Sequence, residues 1–209
     1  MSQCAQRLGS GPTSKLLRAL ATPFVAFGLS ACAGAQLGPV AASSEPPAAS
    51  ADLDTAALTR LAQTAEGSGN ALNAANIYRR IADRQPSAAQ PKIDLGRALM
   101  RNGDFDGAES AFREVLAIAP GNVDGQVGLA QIMLARQQNA EALAAFGAIL
   151  EQHPKNIKAL NGAGIALDAL GRHGEAQEHY NRVLAVAPDD RAARNNLALS
   201  KALGSPNVR

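Results

Sequence analysis

The stretch GDFDGAESAFREVLAIAP at residues 103–120 returns at residues 171–188 as GRHGEAQEHYNRVLAVAP. In both, a Gly opens the segment, a small residue, a ring and a Val follow at intervals of four and three, and a Pro closes it: Ala108, Phe112, Val115 and Pro120, then Ala176, Tyr180, Val183 and Pro188. That spacing places the three apolar side chains on one stripe of a helix. The Pro ends the helix because it has no N–H to continue the hydrogen-bond ladder. Ala142, Phe146, Ile149 and Pro154 keep the same register halfway between, and Ala74, Tyr78, Ile81 and Pro86 keep it one step earlier, so the period is 34 residues.

Working outward, each of these helices has a partner ahead of it. Leu61-Ala62, Leu95-Gly96, Leu129-Ala130 and Ala163-Gly164 fall in one pair of columns, and Gly69, Gly103 and Gly171 mark a turn in three units, with Gln137 in the remaining one. This pattern resembles the tetratricopeptide repeat (TPR), over residues 55–188 plus a final helix. The fold expected is all-α, a TPR α–α superhelix of four 34-residue helix–turn–helix repeats plus a C-terminal capping helix. Within each unit the small column (Ala74, Ala108, Ala142, Ala176) lets helix B approach helix A. The ring four residues later fills the gap between units, and Gly permits the tight turn. A single unit cannot bury its apolar face alone, so the units must stack. After Pro188, Asp189-Asp190 can cap a ninth helix from about Arg191 to Leu203, ended by Gly204-Ser205-Pro206.

Composition agrees with helices. The apolar fraction is 46% but aromatics are only 3% and Trp is absent, so Ala and Leu supply most of the core. Of the 20 Lys and Arg, three (Arg7, Lys15, Arg18) precede Cys32, while all 18 acids lie beyond it, the first being Glu45. The remainder is near neutral and has no basic stripe, so nucleic acid is not an expected partner.

The first residues read as an address. A polar, basic start without acids is followed by an apolar run from Leu16 to Leu29 and then small residues, the order of a secretory signal peptide. Leu29-Ser30-Ala31-Cys32 resembles the bacterial lipobox, in which the Cys thiol is lipidated and the leader is cut just before it. An ordinary cleavage site at Ala31-Cys32-Ala33 or Ala33-Gly34-Ala35 is the alternative. Two or more acyl chains would hold a protein stably at a membrane. The organisation expected is therefore a lipoprotein signal peptide at 1–31, a lipidated N-terminus with a flexible Ala/Ser/Pro linker at 32–54, a TPR solenoid at 55–203 and a tail at 204–209. Because Ala33 is not Asp, sorting by resemblance to enterobacteria would be to the outer membrane, facing the periplasm. Contact with the membrane would be through the lipid alone. With Cys4 in the leader and Cys32 lipidated, no thiol is left for a disulfide or metal.

Nothing in the sequence argues for catalysis, a metal or a cofactor. His153, His173 and His179 lack Cys or paired carboxylates at ligand spacing and read as solvent-facing turn residues. There is no Gly-x-Ser-x-Gly elbow and no phosphate-binding Gly-x-x-x-x-Gly-Lys loop.

Function then lies in binding. In the family resembled, the A helices line a concave groove, and positions 2, 5, 9, 12 and 13 of each unit face it. On this chain those positions include Ile93, Arg97, Met100 and Arg101, then Gln131 and Leu134, then Lys158, Asn161 and Ile165. Asp124, Val127 and Asp168 fall in the same columns. The resemblance implies a mixed groove: Ile93, Met100, Leu134 and Ile165 as an apolar floor, with Arg97, Arg101 and Lys158 adding positive charge. Reversing Arg97 and Arg101 to Glu is expected to weaken partner capture and leave thermal stability nearly unchanged. The carboxylate clamp of chaperone-tail-binding TPR domains is not expected, because neither Thr59/Gln63 with Asp94 nor Ile93/Arg97 with Gly128 fits it. Leader, lipobox, linker and four repeats together resemble the small TPR lipoproteins of tight-adherence (Flp) pilus assembly. Secretin or other pilus-assembly components are the partners this implies. An adaptor for a periplasmic protease or peptidoglycan hydrolase, or a subunit of another envelope assembly complex, is the alternative.

Overall fold

The computed structural model describes residues 54–205, all within the unit Ala48–Arg209. Cys32 and the leader lie outside the described residues. The described residues form nine helices and no strand: α1 (Thr55–Gly67), α2 (Ala71–Arg84), α3 (Ala89–Arg101), α4 (Phe105–Ile118), α5 (Val123–Ala135), α6 (Asn139–Gln152), α7 (Ile157–Ala169), α8 (His173–Val186) and α9 (Arg191–Leu203). Each helix packs on the next, and α3, α5, α7 and α9 also meet one another in turn. This is the all-α repeat superhelix, with α1, α3, α5 and α7 as A helices, α2, α4, α6 and α8 as B helices, and α9 closing the array.

The 34-residue columns recur as backbone geometry. Each B helix stops two residues before its Pro, and the residue preceding the Pro has left the helical region: Gln85 (φ −127°, ψ 63°), Ala119 (φ −139°, ψ 89°), His153 (φ −129°, ψ 70°) and Ala187 (φ −133°, ψ 84°). The Pro ring excludes the helical region for the residue before it. Two residues past the Pro, Asn122, Asn156 and Asp190 each accept the backbone N–H three positions on and cap α5, α7 and α9. These caps satisfy donors that the helix itself leaves unpaired.

The turn between A and B helices needs a left-handed residue. Gly69, Gly103 and Gly171 have φ of 75°, 81° and 74°, and Gln137 takes the same conformation at 62°. The unit lacking Gly thus keeps the turn and bears strain from its Cβ, of about 1 kcal/mol. Gln137→Gly is expected to stabilise the protein by roughly 0.5–1 kcal/mol in urea unfolding. A loss of stability would contradict the strain.

The core is a band of small residues and rings between the two helix layers. Ala74, Ala108, Ala142 and Ala176 are all fully buried, and Tyr78, Phe112, Phe146 and Tyr180 are at most 4% exposed. Close packing needs missing side chains opposite the rings. A Cβ placed on Gly96 or on Gly128 would come under 3.0 Å from the Phe112 ring, so this ring is pinched between the A helix of its own unit and that of the next. Gly162 leaves the same room for Phe146. The ring therefore joins units, as its column implies.

Candidate concave groove

The A helices place most of the expected binding residues along one face. A cavity of about 280 Å³ is lined by Arg97, Met100 and Arg101 of α3, Asp124, Val127, Gly128 and Gln131 of α5, and Lys158 of α7, with the Phe112 ring at its base. The ring reaches the base because Gly96 and Gly128 present no side chain over it. A second cavity, of about 230 Å³, adjoins the first through Gln131 and Lys158 and continues along Leu134, Asn161, Gly162 and Ile165 to Asp190 and Ala192 around the start of α9. Eight of the nine expected groove residues therefore line one continuous trough.

Ile93 departs from the expected groove face. It is 2% exposed and belongs to the core cluster of the first units, so it supports the trough from beneath and offers almost nothing to a ligand. Asp168, in a groove column, also turns away. Its carboxylate accepts the Tyr180 hydroxyl (2.9 Å) and the Ser200 hydroxyl (2.6 Å), and it meets His173 Nδ1 at 2.9 Å. This hub ties α7, α8 and α9 together, and burial with the adjacent carboxylate pushes the Tyr180 phenol upward, keeping it a donor. His173 is accordingly a half-buried partner, and His179 is half-buried with an Nδ1 that has no partner; burial, then Arg182, lowers its pKa. Of the three histidines only His153 faces solvent as expected.

Nor are the cations free. Arg101 pairs with Glu66 of α1, while Arg97 and Lys158 both reach Oδ1 of Asp124 at 2.7 Å. Arg97 also has Asp94 at 3.6 Å. The groove carries a ladder of charge running from α1 to α7, which joins consecutive A helices. Charge reversal at Arg97 and Arg101 would set new carboxylates beside Glu66, Asp94 and Asp124. The double reversal is thus expected to destabilise the protein as well as alter capture.

Burial alone would raise the Asp124 carboxyl, but Lys158 and Arg97 outweigh it and hold it below the usual carboxylate range. A carboxyl depressed on folding contributes stability above its unfolded pKa, and that contribution is lost as pH falls through the folded value. Stability is therefore expected to fall on acidification below about pH 4. The fall should be shallower in Lys158→Gln, as measured by urea midpoint against pH. Equal slopes would contradict the role of the ladder.

The first and last units show how ring and charge cooperate. Tyr78, 4% exposed, has its phenol pushed up to about 12 by burial, then by Glu66 and Asp94. Among the described residues no group of three or more His, Cys, Asp or Glu could hold a metal ion, and no helix is long and apolar enough to cross a membrane.

Stacked helical hairpins with an open, mixed-polarity trough define a protein–protein interaction scaffold of the TPR class. The chain belongs to the tetratricopeptide-repeat family: the model described as the cilia and flagella-associated protein 70 middle TPR-like domain matches residues 58–179, and a tetratricopeptide repeat model matches 161–202. Among curated proteins, the chain is similar to the uncharacterised protein y4yS of Sinorhizobium fredii (strain NBRC 101917 / NGR234), 38% identical over 104 residues. That match covers 50% of this chain and 57% of the relative. Among solved structures, the thermophilic TPR protein TTC0263 of Thermus thermophilus superposes with a TM-score of 0.64 at 18% identity, covering 72% of this chain and 83% of that one. MamA (41-end) from Desulfovibrio magneticus RS-1 superposes with a TM-score of 0.56 at 21% identity, over 72% and 85%. The first TPR domain of human RPAP3 gives 0.52 at 23% identity, over 56% and 93%. At such identities the likeness is one of fold.

Proposed function

We propose that this protein is an outer-membrane-anchored TPR scaffold that holds partner proteins during assembly of a tight-adherence (Flp) pilus or secretion machine, in the manner of the assembly lipoprotein TadD. The observation that carries the reading is the order of parts along the chain. A basic and apolar leader ends at Leu29-Ser30-Ala31-Cys32, an Ala/Ser/Pro tether follows, and then come four repeats with an open groove. Lipid on Cys32 would fix the solenoid at the membrane, facing the periplasm, and the groove would take a segment of a secretin or another assembly component. Tethering raises the local concentration of the solenoid around a membrane-bound partner without any added contact. The mechanism is capture and positioning.

The test is cross-linking in cells, extraction in detergent and identification of attached proteins by mass spectrometry. Recovery of a secretin or other pilus-assembly component from the wild type, and its loss from Cys32→Ser, supports the reading. Recovery of a periplasmic protease or peptidoglycan hydrolase instead makes the protein an adaptor and removes the pilus assignment.

A further inference from the structure

With units beginning at residues 55, 89, 123 and 157 and a half-unit at 191, the ninth position of each reads Gln63, Arg97, Gln131, Ile165 and Leu199. This column changes from polar to apolar along the groove, and its apolar end lies on α9. A helix that only caps a solenoid carries a polar outer face. Yet Leu199 is 59% exposed, Leu203 47% and Ile165 40%. Meanwhile Ser200, the next residue after Leu199, is fully buried against Asp168 and the His173 carbonyl, which fixes α9 in place and Leu199 outward. At the polar end of this strip stands Lys158, which lines both cavities. Its one carboxylate partner among the described residues, Asp124, is shared with Arg97 on the same oxygen, and an ammonium has three donors to place.

We propose that α9 is part of the docking face, and that the groove's occupant is a partner segment carrying a bulky apolar side chain beside a carboxylate. The apolar group sits over Ile165 and Leu199, and the carboxylate meets Lys158. This rests on the concave face being the binding surface. It adds a direction, with the acid toward α5 and the apolar anchor toward α9, and it gives the ninth helix a role beyond closure.

The test uses the purified full-length chain and a phage-displayed library of random peptides of about a dozen residues. Enriched peptides are expected to place Asp or Glu within about four residues of Leu, Ile or Phe. A synthetic peptide of the enriched sequence is expected to bind Leu199→Asn and Lys158→Gln about tenfold more weakly than the wild type. Leu199 is exposed, so the Asn variant should retain its helical circular dichroism and melting profile. Unchanged affinity for Leu199→Asn, or enrichment of basic peptides, overturns the inference. Gln131→Trp, which fills the trough, separates the two levels: if it abolishes binding while Leu199→Asn does not weaken it, the groove stands and the role of α9 falls. If it too leaves binding unchanged, the concave face is not the binding surface.

Discussion

Phe146→Ala is expected to cost about 3–5 kcal/mol of stability, the range for emptying a fully buried ring site. The ring is wholly buried, and a Cβ on Gly162 would clash with it, so it fills the seam between α6 and the next A helix. Domains of ordinary stability hold about 5–15 kcal/mol, so the loss is a large share of the whole. The consequence in a linear array is loss of coupling, because each unit contacts only its neighbours. Urea unfolding followed by circular dichroism should shift to a lower midpoint and broaden into two phases, the units before α6 separating from those after it. A single transition displaced by less than about 1 kcal/mol would show that the seam does not depend on this ring.

Asp168→Ala is expected to rank second, at about 2–4 kcal/mol. The carboxylate serves two hydroxyls whose residues are closed to water, Tyr180 at 1% and Ser200 at 0% exposed. Removing it leaves the Tyr180 hydroxyl without its acceptor and Ser200 with only the His173 carbonyl at 3.2 Å, and a buried unpaired polar group costs about 1–3 kcal/mol. The damage should concentrate at α9, whose buried polar anchor is Ser200. Limited proteolysis is the direct readout: cleavage within 191–203 should accelerate in the variant while 54–135 stays protected. Asp168→Asn keeps an acceptor oxygen and should show a smaller effect. If the Ala variant digests like the wild type, the hub does not hold α9.

The repeat columns made the fold legible because each column answers to a local cause repeated four times. Pro ends a helix wherever it stands, and small residues opposite rings read as close packing without knowledge of any contact. The turn at Gln137 shows the same legibility from the other side, since three glycines at the period announce a left-handed residue that the remaining unit then adopts without Gly. The groove was legible in outline because position within a repeat decides which face a side chain takes. Ile93 shows where this fails: it is buried among core residues of the first units, as Val127 in the same column is among those of the next.

The pairing of groove charges went unread for a different reason. Arg97 with Asp124, and Lys158 with Asp124, are 27 and 34 residues apart. Only after the units are stacked do these separations become nearest neighbours across adjacent A helices. The signal was present as opposite charges at position 9 of one unit and position 2 of the next (Arg97 and Asp124), and at position 2 of two consecutive units (Asp124 and Lys158). The Asp168 hub carried no such signal, because Ser200 lies on the half-unit that departs from the pattern, and a Ser in a helix reads as surface until its partner is in view.

Capture through the concave face is tested most directly by a photoreactive amino acid at single positions of the full-length protein in cells. Gln131, between the two cavities, probes the concave face, and Ser110, on the outer side of α4, probes the convex one. Irradiation is expected to yield a discrete partner adduct from position 131 and none from position 110. A partner adduct from position 110 alone would move the binding surface to the convex face and contradict the groove.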